Sequence, residues 1–573
     1  MTNPCIIMAN KFTNYKFQKS MKPILIVFAV ICLAAVIAAC SVGRGKNNGV
    51  KAAGENEYPD VPLSASPAKN GKVLYKMRQS AQRDAMPDMA VTCNAAMPYD
   101  ALSTESYSDF SDSRFLSPTR NPLSTFSIDV DVASYANMRR YINQGMLPPA
   151  DAVRVEELVN YFSYTYPQPS DGRPVHIDLE AGVCPWNKSH RLVKIGLKAK
   201  EIPTAKLPAA NFVFLIDVSG SMAGPARLGL VKSSMKMLTD NIRDIDRVAI
   251  VVYGSDAKVV LPSTQGNEKG KIKTAIEALE AGGYTAGEAG LRLAYKTAEE
   301  NFIEGGNNRI ILCSDGDFNF GISDEHGLEK IVAAESKKGI FMSVLGYGMG
   351  NYKDSKMQVL AEKGSGNQAY IDNMQEARKV LISEFGSTLF TVAEDVKLQV
   401  EFNPSQVQAY RLVGYESRML KDEEFNDDNK DAGDIGAGHT VTALYEVIPV
   451  GVKGNIPGTV DTLKYQKAPE VKSDFKSDSK EMLTVKLRYK NPGEKTSMLL
   501  EKSLTDNGGD SVSEDFRFAS AVAMYGQLLR NSDFKGNATY KQVVDVARKG
   551  LSNDAEGYRR EFIRLVEAAQ SLK

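Results

Sequence analysis

Between residues 210 and 390 the chain alternates short, wholly apolar runs with stretches of helical period. Asn211–Asp217 (NFVFLID) is a continuous apolar run, the pattern of a parallel strand covered on both faces. A helix is predicted next, with Leu228, Val231, Met235 and Leu238 on one stripe. Arg247–Tyr253 (RVAIVVY), Arg309–Ser314 (RIILCS) and Ile340–Leu345 (IFMSVL) read as further buried strands, and Lys271–Leu279 and Glu288–Phe302 as helices. A βαβα order of this kind predicts an α/β fold: a doubly wound, mostly parallel, Rossmann-like sheet sandwiched by helices.

The flanks have other periods. Ser124–Ala133 alternates like a strand, and Val155, Leu158, Val159 and Phe162 follow at helical spacing. Residues 175–200 contain two alternating runs around Pro185, Trp186 and Asn187, and 394–500 is strand-like with turn residues at short intervals. From about 513 to 572 the pattern is helical, with Phe516, Ala519, Val522, Ala523 and Leu529 on one stripe and Phe562, Leu565 and Val566 on another. The expected organisation is a signal peptide (1–39), a lipidated flexible tether (40–118), an N-terminal α+β or β-rich flank (119–209), the α/β domain (210–390), a β-rich region (391–505) and a C-terminal helical region (506–573).

The N-terminus changes the picture from a soluble chain to an anchored one. Residues 21–40 read MKPILIVFAVICLAAVIAAC: a positive start at Lys22, then an apolar stretch too short for a comfortable span. Its end, Ile37-Ala38-Ala39-Cys40, resembles the lipobox of bacterial lipoproteins, which implies lipidation of Cys40. Two or three acyl chains would hold it firmly to a membrane. Ser41 in place of Asp favours, by the same resemblance, the outer membrane, and with no acidic run after the cysteine the expected aspect is periplasmic. Met21 is an alternative start to Met1. The stretch after Cys40, rich in Gly, Ser, Ala, Asn, Pro and Asp, reads as a tether, and about 80 flexible residues have an rms reach of roughly 50 Å.

Charge narrows the partners. Lys and Arg total 70, as do Asp and Glu, so no net field attracts nucleic acid, and no basic run with interleaved aromatics is present. The six cysteines show no C-x-x-C pair, and the four histidines are scattered, which disfavours zinc and thiol-redox chemistry. Cys313 sits on a predicted buried strand as packing, and a Cys93–Cys184 disulfide has no support in the pattern.

The candidate chemistry lies at the ends of two predicted strands. The first ends in Asp217-Val218-Ser219-Gly220-Ser221-Met222, one carboxylate and two hydroxyls at alternate positions. A glycine-rich loop, Gly282-Gly283-Tyr284-Thr285-Ala286-Gly287, places another hydroxyl before a helix. The strand Arg309–Ser314 ends in Asp315-Gly316-Asp317. Open α/β sheets bind ligands at the carboxyl ends of their strands, and an all-oxygen set of this kind suits a hard cation such as Mg²⁺.

Together these pieces resemble the metal ion-dependent adhesion site of von Willebrand factor A domains. The family pattern, D-x-S-x-S with a distant Thr and a distant Asp, falls on Asp217, Ser219, Ser221, Thr285 and Asp315. The resemblance implies that Ser219, Ser221 and Thr285 hold the metal directly and that Asp217 and Asp315 act through water. Mg²⁺ is expected, with Mn²⁺ and Ca²⁺ as alternatives. Neutral hydroxyls leave the cation under-neutralised, so the expected partner is a protein with an exposed Asp or Glu. Met222 and Tyr284 stand beside the site as either rim or ordinary packing, and Asp317 as a further carboxylate. The stretches Asn121–Tyr166 and 375–450 resemble the flanks of a bacterial A-domain lipoprotein family.

An enzyme is not expected. Ser219 and Ser221 lack the G-x-S-x-G frame of a hydrolase, no P-loop occurs, and an aspartyl-phosphate site would want a second Asp where Ser219 stands. Gly346, Gly348 and Gly350 read as a turn, and Asp129 and Asp131 as two carboxylates on one exposed strand face. A second reading makes the A domain an intramolecular clamp on its own flanks, with the acidic run 421–434 as its carboxylate source or simply a solvated loop.

Overall fold

The computed structural model describes residues 105–573 except 110, 129–130, 285–286, 317–324, 351, 385–389, 454–478, 507, 510 and 553. The leader, Cys40 and Cys93 therefore lie outside the described residues. Among the described residues no helix is long and apolar enough to cross a membrane.

The N-terminal flank contributes β1 (Leu123–Ser127), α1 (Ala133–Asn143), α2 (Val155–Asn160), β2 (Val175–Val183) and β3 (Arg191–Ala199). The strand expected over 124–133 is shorter than its alternation suggests, because Ala133 already opens α1. Asp131 is not on an exposed face. It is buried, where it accepts the Gln368 amide at 3.0 Å and Arg418 at 2.9 Å.

The α/β domain follows: β4 (Ala210–Asp217), α3 (Leu230–Asn241), β5 (Arg247–Tyr253), β6 (Ala257–Gln265), α4 (Lys269–Glu277), α5 (Gly287–Glu300), β7 (Asn307–Ser314), α6 (Glu325–Ser336), β8 (Ile340–Tyr347), α7 (Asp354–Lys363), β9 (Gln368–Ile371) and α8 (Met374–Arg378). The sheet order is β6-β5-β4-β7-β8-β9. All pairings are parallel except the β5–β6 hairpin. The apolar runs are continuous because both faces are covered. Phe212, Phe214 and Ile216 of β4 pack with α3 and α4 on one side. Val213 and Leu215 pack with α5, α6 and α7 on the other. The stripe predicted from Leu228 is buried, but the helix starts only at Leu230, since Arg227 has a non-helical backbone in the preceding turn.

The chain then returns to the flank with β10 (Thr391–Phe402), β11 (Val407–Val413), β12 (Gly433–Gly436), β13 (Thr440–Pro449), β14 (Glu481–Lys490) and β15 (Met498–Thr505), and ends in α9 (Glu514–Leu529), α10 (Tyr540–Arg548) and α11 (Tyr558–Ser571). The two flanks, read from sequence as separate regions, are interleaved. One sheet runs β1-β10-β14-β15, with β12 on β10, and the other runs β11-β13-β3-β2. Each sheet thus takes strands from both sides of the α/β domain. That domain is inserted between β3 and β10.

The central strand β13 is buried along almost its whole length for the same reason as β4. Val441, Ala443, Tyr445 and Val447 face the five-stranded sheet. Leu444 faces a helical layer in which α1 and α2 share one core with α9, α10 and α11 around Trp186. Two of the C-terminal helices, α9 and α10, start on side-chain caps: the Ser513 hydroxyl accepts the Phe516 amide at 3.0 Å and the Thr539 hydroxyl accepts that of Gln542 at 3.2 Å. Arg139 of α1, fully buried, bonds Asp372 and Glu376 of the α/β domain at 2.5 and 2.7 Å and Glu561 of α11 at 3.1 Å, which ties the three parts together.

Candidate metal site

The order of the sheet reverses at β4 and β7, so their carboxyl ends flank the crevice where open α/β sheets bind ligands. Asp217 closes β4 and Asp315 immediately follows β7. Both are fully buried. Asp217 is held from two sides: Oδ1 accepts the Ser219 amide at 2.9 Å and Oδ2 accepts the Ser314 hydroxyl at 3.1 Å. Burial, with the Asp315 charge nearby, pushes the Asp217 carboxyl up to about 6 against the hydrogen bonds that lower it.

After Asp217 the chain makes a single helical turn, Gly220–Met222, that folds Ser221 back over Ser219. Their hydroxyl oxygens are 3.0 Å apart. Two adjacent oxygens at ~2.1 Å from a six-coordinate Mg²⁺ are about 3 Å apart, so this pair fits neighbouring positions on such an ion. Ser219 is buried and Ser221 half-buried, so the pair opens towards solvent from a buried acidic floor.

The glycine-rich loop arrives at the same place. Gly282 donates its amide to the Val218 carbonyl at 2.7 Å, and the Gly283 carbonyl accepts the Gly220 amide at 3.0 Å. Gly283 has φ +86°, and a Cβ there would lie 1.9 Å from the Ser255 hydroxyl, so only glycine serves. Thr285, the third expected hydroxyl, and Asp317 lie outside the described residues. Of the two flanking side chains, Met222 is buried packing, while Tyr284 is 89% exposed.

Sequence reasoning missed three contributors. Ser314, one residue before Asp315, fixes the Asp217 carboxylate and accepts the Gly316 amide at 3.1 Å. Ser255, just past the end of β5, positions the Gly283 turn by accepting the Tyr284 amide at 3.3 Å. Both are hydroxyls next to strand ends, a signal present in the sequence. Arg227 grips the Ser221 carbonyl at 2.5 Å, and nothing local announces it. Among the described residues no cluster of three or more His, Cys, Asp or Glu is placed to hold a metal.

Several other features have structural explanations. Gly348 and Gly350 turn the chain after β8 with φ of +79° and +92°, while Gly346 remains in the strand. The acidic run 421–434 is largely a solvated loop, with Glu423, Asp427 and Asp431 exposed, though Asp422 accepts the Thr125 hydroxyl at 2.7 Å and Asp428 accepts the Ser497 amide at 3.4 Å. Cys184 and Cys313 are buried free thiols, and burial pushes Cys313 up to about 12.

The comparisons agree with this layout. A profile for the von Willebrand factor type A domain matches residues 212–317, one described as von Willebrand factor matches 101–194, and one described as "Uncharacterized protein YfbK, C-terminal" matches 387–572. The protein YfbK of Escherichia coli K12 is 45% identical over 476 residues, covering 82% of each chain. The chain belongs to the YfbK family. It is a member with a bacterial von Willebrand factor A domain set into the family's flanking region. Protein sll0103 of Synechocystis is 30% identical over 189 residues, 33% of this chain and 44% of its own. Among solved structures, BatB of Bacteroides thetaiotaomicron is 23% identical, covering 31% of this chain and 97% of its own, with a TM-score of 0.27. A von Willebrand factor type A protein of Catenulispora acidiphila is 16% identical, covering 68% and 91%, with a TM-score of 0.37.

Proposed function

We propose that this family member is a lipid-anchored protein of the bacterial envelope that binds an acidic protein partner through a divalent cation, Mg²⁺ in the first place and Mn²⁺ or Ca²⁺ as alternatives, at the carboxyl ends of β4 and β7. The observation that carries the reading is the Ser219–Ser221 hydroxyl pair, 3.0 Å apart above two fully buried aspartates. Ser219 and Ser221 would hold the ion directly, joined by Thr285 from the glycine-rich loop, with Asp217 and Asp315 behind them. A cation so held offers an external carboxylate an open coordination position. The chain's own work is preorganisation. The Ser219 amide and the Ser314 hydroxyl fix the Asp217 carboxylate, the Gly283 carbonyl fixes the Ser221 turn, and Tyr284 presents an exposed ring to whatever docks.

The reading is one of binding rather than catalysis. The hydroxyl of Ser219 lies against that of Ser221, and His190 stands in the flanking sheets, bonded through Nδ1 to Glu446 and through Nε2 to Asn187. Lipidation of Cys40, with anchoring to the outer membrane and a periplasmic aspect, belongs to the same proposal. Two assays test it. Partner capture from envelope extract is expected to vanish with EDTA and with Asp217→Ala, and capture indifferent to both would refute the adhesion site. Fractionation is expected to find the wild type in membranes and Cys40→Ser in the soluble fraction, and an unchanged distribution would refute the anchor.

A further inference from the structure

We propose that Arg227 and Glu105 are positioning residues for the cation site, acting on Ser221 from outside through the loop that follows β8. The inference rests on the cation reading above and extends it to what holds the site in shape.

Ser221 sits on a single turn and is only half-buried, so packing alone does not fix where its hydroxyl points. Arg227 supplies the constraint. Its guanidinium donates through Nη1 to the Ser221 carbonyl at 2.5 Å and through Nη2 to the Met349 carbonyl at 2.6 Å. The fork geometry of arginine lets one planar group bridge two backbones. Gly348 makes room for it: its φ is +79°, and a Cβ there would lie 2.6 Å from the Arg227 Nε. The position of Ser221 is therefore tied to that of Met349.

The loop carrying Met349 is itself gripped by Glu105 and Ser106. The Gly350 amide donates to Glu105 Oε1 at 2.7 Å, and the Ser106 amide donates to the Tyr352 carbonyl at 3.2 Å. Glu105 is anchored in turn by both terminal nitrogens of Arg140 of α1 at 2.9 and 2.7 Å, by the Tyr141 hydroxyl at 2.7 Å and by that of Tyr107 at 2.9 Å. Burial raises this carboxyl, but the Arg140 bond and charge, the Gly350 amide and the Tyr141 hydroxyl together outweigh it and hold Glu105 down to about 2, so the strap stays charged at any physiological pH. The same loop closes on the second aspartate: a Cβ on Gly316, next to Asp315, would lie 2.7 Å from the Lys353 amide nitrogen. One loop thus backs both strand ends of the site, and its outer side is held by Glu105 and Ser106.

The test measures Mn²⁺ affinity of the full chain by titration, alongside thermal melts in EDTA. Outer partners of metal ligands typically change affinity about 10–100-fold when removed. Arg227→Ala is expected to weaken Mn²⁺ binding by about tenfold or more, Glu105→Gln to weaken it by less, and Arg227→Lys, which reaches one carbonyl at a time, to fall between wild type and Arg227→Ala. Amide exchange supplies the readout that a loss of stability would not give. By reciprocity of coupled sites, Mn²⁺ should slow exchange around Met349 and Gly350 in wild type and leave it unchanged in Arg227→Ala. Equal Mn²⁺ affinity in wild type, Arg227→Ala and Glu105→Gln overturns the positioning role while leaving the cation site standing. No Mn²⁺ binding by the wild type overturns both. If Arg227→Ala does not fold, Glu105→Gln and the exchange data on wild type decide.

Discussion

Replacing Asp217 by Asn removes the buried charge while keeping its shape, and the structure predicts an unusual result: a cation-blind protein that is more stable than wild type when no cation is present. The folded Asp217 carboxyl stands at about 6 against an ordinary 3.8. Because the folded state keeps the proton to higher pH than the unfolded chain does, ionising Asp217 opposes folding. That cost is absent below about pH 4, grows as pH rises towards about 6, and is complete above it, at ~3 kcal/mol by linkage. The Asp217→Asn variant would not carry it. The carbonyl of the new amide can still accept the Ser219 backbone N–H, and its NH₂ can donate to the Ser314 hydroxyl, which turns to accept, so neither hydrogen bond at 2.9 and 3.1 Å need be lost. The assay is thermal or urea unfolding at pH 5 and pH 8, in EDTA and in Mg²⁺. In EDTA the variant is expected to gain the full ~3 kcal/mol over wild type at pH 8 and about half of that at pH 5, where Asp217 is only part-way through its transition. With Mg²⁺ the wild type rises and the variant does not, since a cation that binds only the folded state stabilises it by mass action. A variant less stable than wild type in EDTA at pH 8, or one still stabilised by Mg²⁺, would refute the reasoning.

Other consequences are simpler. Gly283→Ala drives a Cβ to 1.9 Å from the Ser255 hydroxyl at a positive φ, so it should displace the loop that leads to Thr285 and reduce cation affinity more than it lowers the unfolding midpoint; unaltered affinity by titration would count against the loop's role. Arg139→Ala leaves the buried carboxylates of Asp372 and Glu376 without their cation and should cost ~3–5 kcal/mol in urea unfolding, whereas a change under about 1 kcal/mol would mean the ion network does not join the parts as described. Cys184 and Cys313, buried with thiols raised by burial, should resist thiol reagents in the native chain and react after unfolding, and fast native labelling of either would contradict the core assignment.

The parts legible in the sequence are those whose signal is local. β4, β5 and β7 announced themselves as apolar runs because residues such as Val213 and Phe214 both find apolar partners, on opposite faces. Asp217 and Asp315 could be read as strand-end carboxylates for the same reason. The flanks could not be assembled this way. β3 pairs with β13, with Ile195 opposite Ala443, and alternation in either strand carries no information about a partner more than two hundred residues away. Asp131 looked exposed by alternation and is buried, because Arg418 and the Gln368 amide meet it from remote segments. Met222 could be rim or packing by sequence and is core, because the turn after Ser219 rolls it inward. Arg227 was invisible for a related reason: its two acceptors, the carbonyls of Ser221 and Met349, are brought together only by the order of the strands.

The most direct test is calorimetric titration of the purified chain with Mg²⁺ and Mn²⁺, beside a variant carrying Ser219→Ala and Ser221→Ala. A single saturable site per wild-type chain, lost in the double variant, is the predicted result. No binding heat from Mg²⁺, Mn²⁺ or Ca²⁺ in the wild type, or undiminished binding by the double variant, would contradict the account.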